Sequence, residues 1–154
     1  MSIFNLLWAA FCGAGAAAGL SFCSNISRYD IAWGAMVGGL GWLTYTLLIP
    51  ESGVAGTESF FWGSMTVAVL SEVLAFIVKN PATVYLVPGL LPLVPGGGMF
   101  QTMRAVVTGD LEKALSIGFT TLTAAGAIAL AVALASSLTR IIKSAYRHRK
   151  NKIN

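Results

Sequence analysis

Apolar residues in this chain fall into long runs separated by short polar breaks, and the runs have the length of membrane-crossing helices rather than the alternation of strands. Ile3 to Ser24 carries no charge, with Trp8 towards one end, and a polar link from Asn25 to Asp30 leads into a second run from Ile31 to Ile49. Pro50 to Ser59 has the composition of an exposed loop, and Ser59 can cap the helix that follows to Val78. The last run, from about Leu111 to Ile142, is rich in alanine and glycine and longer than the hydrocarbon layer, so it must tilt or project into water.

Between the third run and the last the pattern is interrupted. Pro81 to Met103 reads PATVYLVPGLLPLVPGGGMFQTM, and Pro88, Pro92 and Pro95 cannot all lie in one regular helix, because each lacks a backbone donor and clashes with the preceding turn. The pieces from Thr83 to Leu93 and from Met99 to Val107 are each about half a membrane thick if helical. They predict one discontinuous span with its break near mid-depth; a hairpin that enters and leaves by the same face is the alternative. Irregular backbone at that depth needs protein or a water-filled cavity to satisfy it, which makes the break a candidate pathway or binding site rather than a simple kink. The expected fold is an all-α integral membrane protein of about five transmembrane helices, the fourth broken by the Pro/Gly-rich segment. Residues 1–142 form the membrane domain and 143–154 a basic tail.

Composition agrees: the chain is 56% hydrophobic and 10% charged, with a mean hydropathy of +0.75. Its net charge of +4 does not indicate nucleic acid, because six basic residues, Arg140, Lys143, Arg147, Arg149, Lys150 and Lys152, cluster in the last fifteen residues, at and beyond the end of the last apolar run. They place the C-terminus in the cytoplasm and against anionic lipid. If the broken segment crosses, the N-terminus is outside, and Arg28 and Lys79 join the tail, so that eight basic residues lie inside against Lys113 outside. If it re-enters, Arg28 and Lys79 fall outside, so five spans is the better account. Arg104 can snorkel to the outer interface.

Few residues offer chemistry. Glu72 is the one acid well inside an apolar run, where a carboxylate is costly and is by default a functional candidate; structurally, it can reach the interface or a polar neighbour such as Ser71. Gly15 and Gly19 lie four apart on the first helix, a spacing that lets another backbone approach, read here as packing within the chain with a subunit interface as the alternative. Cys12 and Cys23 are about 16 Å apart along that helix, cannot bridge, and read as small buried packing residues. The N-terminus lacks a basic n-region and reads as a retained span rather than a signal peptide. His148 stands in a basic tail, no acid, base and nucleophile converge, and no metal-ligand spacing occurs, so neither an enzyme nor a metal or cofactor site is expected.

The stretch NPATVYLVPGLLPLVPGGGMFQTM, with LSEVLAFIVKNPAT before it and GDLEKALSIGFTTLTAAGAIALAVALASSL after it, resembles the threonine/serine exporter family. In particular it resembles the short membrane protein that forms the second half of the transporter when the two halves are separate chains. The resemblance implies a multi-helix secondary exporter of small hydrophilic metabolites in the bacterial inner membrane, driven by the proton gradient. Serine and threonine are implied by fused members, and dicarboxylates by some split systems. It also implies a larger membrane subunit as partner; a homo-oligomer is the alternative. Where the family pattern leads one to expect tyrosine after the glycines, this chain has Phe100 and Gln101, which leaves the substrate open.

On that reading Pro95 ends the first half-helix, while Gly96, Gly97 and Gly98 supply backbone angles closed to other residues and let a ligand approach the main chain. A half-helix starting near Gly97 presents N–H groups to a carboxylate, Gln101 and Thr102 contact polar parts of the substrate, and Glu72 carries the proton. A non-transporting assembly or regulatory subunit is the competing function. It needs small-residue faces but neither an intramembrane acid nor a broken backbone.

Overall fold

The computed structural model describes residues 3–49 and 56–151, with side chains omitted at 3, 5 and 142–151. Most of the loop expected at Pro50 to Ser59, including Glu51, lies outside the described residues, as do the side chains of the basic tail. The described residues are helical: α1 (Ile3–Cys23), α2 (Arg28–Leu47), α3 (Thr57–Val78), α4 (Thr83–Leu90), a single 3-10 turn (Leu91–Leu93), α5 (Gly96–Val107) and α6 (Leu111–Asn151).

Local chemistry sets the breaks. After α1, Asn25 takes a left-handed conformation (φ 54°), its N–H donates to Phe22 and that of Ile26 to Ser21, a Schellman arrangement that satisfies the last carbonyls. Gly109 (φ 79°) closes α5 in the same way, with Gly109 donating to Val106 and Asp110 to Ala105. Asp110 then caps α6, its carboxylate accepting from the Lys113 N–H at 3.1 Å. Ser59 is not the cap of α3: the helix starts at Thr57, and the Ser59 hydroxyl donates to the Leu48 carbonyl at 2.9 Å, tying α3 to the end of α2.

The three prolines divide the fourth segment much as their chemistry requires. Pro88 lies inside α4, Pro92 in the 3-10 turn and Pro95 at the N-cap of α5, and the two halves meet at 50°. Among the described residues α1, α3 and α6 are long and apolar enough to cross a membrane, and the bent pair makes a fourth crossing if it counts as one span. The 20-residue α2 falls short, since glycines, Trp33, Trp42, Tyr45 and two threonines dilute its hydropathy. The last helix does not stop at Ile142 but continues through the basic stretch to Asn151.

Helix α2 is the centre of the bundle, packed against α1, α3 and α4. Small residues make these crossings close. A Cβ on Gly38 would overlap that of Ala17, one on Gly13 would overlap Trp42, and one on Gly41 would overlap Val67. Gly89 wedges α4 between Val37 of α2 and Val67 of α3, where a Cβ would lie 3.0 and 2.9 Å from their methyl groups. Val37, Val67, Leu74, Tyr85 and Leu93 are buried around this point. Along α6, buried Ala124, Ala127, Ala131 and Ala135 recur at helical spacing, while Leu115, Phe119 and Leu122 face outward as lipid requires.

The inner face of α1 is Gly13, Ala17 and Ser21, all buried. Two residues further round a helix is about 200°, so Gly15 and Gly19 face away, with nothing within 4 Å of a Cβ built on either. Among the described residues, therefore, they make no packing contact. Cys12 and Cys23 are likewise exposed free thiols rather than buried packing residues.

Candidate functional site

The helix break opens into a cavity of about 520 Å³, within the range of roughly 300–1,000 Å³ that takes small molecules. One wall is the start of α5, from Pro95, Gly97, Gly98 and Gln101. The N-cap Pro95 makes no side-chain hydrogen bond to the first turn, and the leading amides of a helix have no intrahelical acceptors. Pro95 has no N–H and that of Gly96 donates to the Val94 carbonyl at 2.7 Å, so that wall offers the N–H groups of Gly97 and Gly98 and the positive end of the helix dipole. A second wall is aromatic: Trp42 and Tyr45 of α2 have ring centroids 4.9 Å apart, and Phe60 of α3 lies 4.8 Å from Tyr45. The third wall, from α6, offers the hydroxyls of Ser116, Thr120 and Thr121. Thr120 and Thr121 donate to the carbonyls of Ser116 and Ile117 at 3.1 and 2.7 Å, which leaves their oxygen lone pairs as acceptors. Among the described residues no lining residue is charged.

The residues expected at the site separate accordingly. Pro95, Gly97, Gly98 and Gln101 line the cavity; Gly96 is exposed outside it, and Thr102 turns towards α6, its hydroxyl bonded to the Gly98 carbonyl at 2.8 Å and its methyl beside Gly118. The glycines do not hold unusual backbone angles, because all three belong to α5 and the one glycine with positive φ among the described residues is Gly109. Their smallness serves two ends. At Gly98 a Cβ would overlap the Thr121 hydroxyl, so this glycine packs α5 on α6, whereas at Gly97 a Cβ would meet nothing within 4 Å and would enter the cavity's open space. Glu72 is half-buried on α3 and does not line the cavity.

The aromatic and hydroxyl walls were not foreseen in the sequence. Ser116 and Thr120, four apart in an apolar helix, carried a readable signal; Trp42, Tyr45 and Phe60 did not differ from ordinary core or interface aromatics. Also unforeseen is a polar cluster at the other end of α2. Asp30, in the first turn of that helix, is buried, and its carboxylate accepts from Tyr85 Oη at 2.6 Å and from Asn80 Nδ2 at 2.9 Å; Asn80 Nδ2 also lies 3.3 Å from Tyr85 Oη.

A cavity of small-molecule size at a break in an apolar helical segment is a feature that transporters share, and the sequence agrees with it: the family model described as "Threonine/Serine exporter, ThrE" matches residues 5–138. The chain belongs to the threonine/serine exporter family. The match takes in α2 to α5 entire, and hence both the cavity and the Asp30 cluster. Membership gives this exporter-family chain a transport role in a membrane. No curated protein and no solved structure matches the chain.

Proposed function

We propose that this chain is the smaller membrane subunit of a two-component, proton-coupled exporter, and that the cavity at the helix break holds its substrate, a small zwitterion such as serine or threonine. The cavity's lining carries the reading. Backbone N–H groups at the start of α5 suit a carboxylate, the faces of Trp42 and Tyr45 suit an ammonium group, and the α6 hydroxyls suit a hydroxylated side chain. The lining, uncharged among the described residues, favours a net-neutral solute over a dicarboxylate, whose net charge would be desolvated without a counter-charge. The larger partner subunit rests on the resemblance to the short half of split transporters, and the outward-facing Gly15 and Gly19 suit such a contact. Glu72 on α3 remains the candidate proton carrier of the sequence reading. An assembly or regulatory subunit would use the same α1 face but has no need of the cavity.

The test is efflux from liposomes that contain the complex with its larger subunit. Serine or threonine should leave faster than a dicarboxylate, and Thr120→Val, which removes a hydroxyl at constant shape, should weaken apparent affinity about fivefold, the worth of one neutral hydrogen bond. Faster dicarboxylate efflux, or an unchanged Thr120→Val variant, would count against the cavity as the amino-acid site.

Five crossings with the N-terminus outside are part of the same proposal. A 50° bend leaves the chain advancing where a hairpin would reverse it, and this supports a broken crossing. Single cysteines at Glu58 and Asn151, in a background without Cys12 and Cys23, should react with an impermeant thiol reagent from opposite sides of the membrane. Reaction of both from the same side would sink the five-span arrangement.

A further inference from the structure

An acid in the first turn of a helix needs only solvent and the helix dipole to stabilise it. Asp30 has the dipole but little solvent: it is 9% exposed and held by two neutral donors that come from the α3–α4 link and from α4, 50 and 55 residues away. At this end of the elements meeting there, the other titratable or charged groups are Arg28 and Tyr29 of α2, Cys23 of α1, Glu72 of α3 and Lys79 just after it, all exposed except the half-buried Glu72; of the same helices, Cys12 stands at the middle of α1, and Tyr45 and Glu58 lie towards the other ends of α2 and α3. The cluster and the cavity occupy opposite ends of the bundle. Asp30 opens α2 while Trp42 and Tyr45 stand near its end, and Asn80 follows α3 while Thr57 and Phe60 begin it. Helix α4 runs from the cluster to the break, wedged on the way by Gly89.

We propose that Asp30 is a proton-binding site and that its cluster with Tyr85 and Asn80 is a clasp, closed when Asp30 is ionised, that holds α4 against α2 at the end remote from the cavity. In the ionised form each carboxylate oxygen accepts one hydrogen bond, and bonds to a charged acceptor are roughly twice as strong as neutral ones. A proton arriving from water on Oδ1 turns that oxygen into a donor. Tyr85 must then rotate its O–H away and accept, while already facing Asn80 Nδ2, and its own proton loses its acceptor. A proton arriving on Oδ2 displaces Asn80 instead. Either way a charge-assisted bond between α2 and the α4 side is lost, and release of the proton to water restores it. The coupling of this movement to export rests on the transport reading above; the clasp itself does not.

Labelling separates the two. In the full chain with its larger subunit in liposomes, a lone cysteine at the half-buried Val84 of α4 reports opening, its reaction rate divided at each pH by that of a variant retaining only the exposed Cys23. The normalised rate should rise about tenfold as pH falls, the scale of one hydrogen bond to a charged group. It should be independent of pH in Asp30→Asn. Tyr85→Phe, which keeps the acid and removes one of the two bonds of the clasp, should raise the high-pH rate towards the low-pH value and serves as a second variant should Asp30→Asn not fold. A flat profile in the parent, the same profile in parent and Asp30→Asn, or a profile abolished by Glu72→Gln instead, would overturn the proposal. Failure of the complex to move serine or threonine would overturn the transport reading while leaving the labelling result to judge the clasp.

Discussion

Gly38→Ala is expected to destabilise the folded chain by about 1–3 kcal/mol, the usual cost of one methyl too many in a packed interior. The new Cβ would overlap that of Ala17 on α1 and come within 3.4 Å of the Gly13 carbonyl and 3.5 Å of the Gly89 Cα on α4. Two of these three neighbours are backbone atoms and the third is a Cβ fixed to one, so no side chain can swing aside. The helices must separate instead, and α2 loses a close contact with α1 and one with α4 together. In a membrane that loss is not recovered elsewhere, since lipid tails solvate apolar surface as well as a neighbouring helix does, and close packing supplies most of the association energy. Thermal unfolding in detergent checks the expectation. Gly15→Ala adds the same methyl to an outward face with nothing within 4 Å, and should leave the midpoint unchanged or slightly raised through better helix propensity.

The second large effect sets two adjacent glycines against each other. Gly97→Leu should leave assembly intact and cut transport by about tenfold or more, each decade corresponding to about 1.4 kcal/mol of lost binding. Its side chain starts in open space at the cavity wall and can extend into the volume proposed for the substrate. Gly98→Ala should do the reverse. Its methyl would overlap the Thr121 hydroxyl, which is held to the Ile117 carbonyl at 2.7 Å on a β-branched side chain with few rotamers, so α5 must lift from α6 at a cost of about 1–3 kcal/mol. Co-purification yield with the larger subunit, read beside liposome efflux, distinguishes the two. Loss of both measures in Gly97→Leu would mean that the cavity wall is a packing surface.

That contrast shows where the sequence was informative. The break itself was legible, because proline and glycine act on their own backbone: the missing donors of Pro88, Pro92 and Pro95 dictate a kink, a turn and a cap wherever the chain lies. What each glycine is for was not legible, because a step of one residue turns a helix face by about 100° and contacts decide the rest. Gly97 against Gly98, and Gly15 against Gly13, have the same local sequence character and opposite surroundings. The Asp30 cluster was out of reach for another reason. Its members read singly as link residues and a helix aromatic, and only the packing of α4 on α2 brings together positions 50 and 55 residues apart.

Helix α5 touches one other helix among the described residues, α6, and turns Met99, Phe100, Met103, Val106 and Val107 outward. A half-span of 12 residues held on one side is positioned as much by what solvates its other sides as by the protein. Hydrocarbon thickness acts on such a segment through its tilt, at fractions of a kcal/mol per Å of mismatch. Its N-terminal turn is a wall of the cavity, so bilayer thickness bears on where that wall stands, and lipid composition enters the proposed binding step even where no lipid molecule enters the cavity.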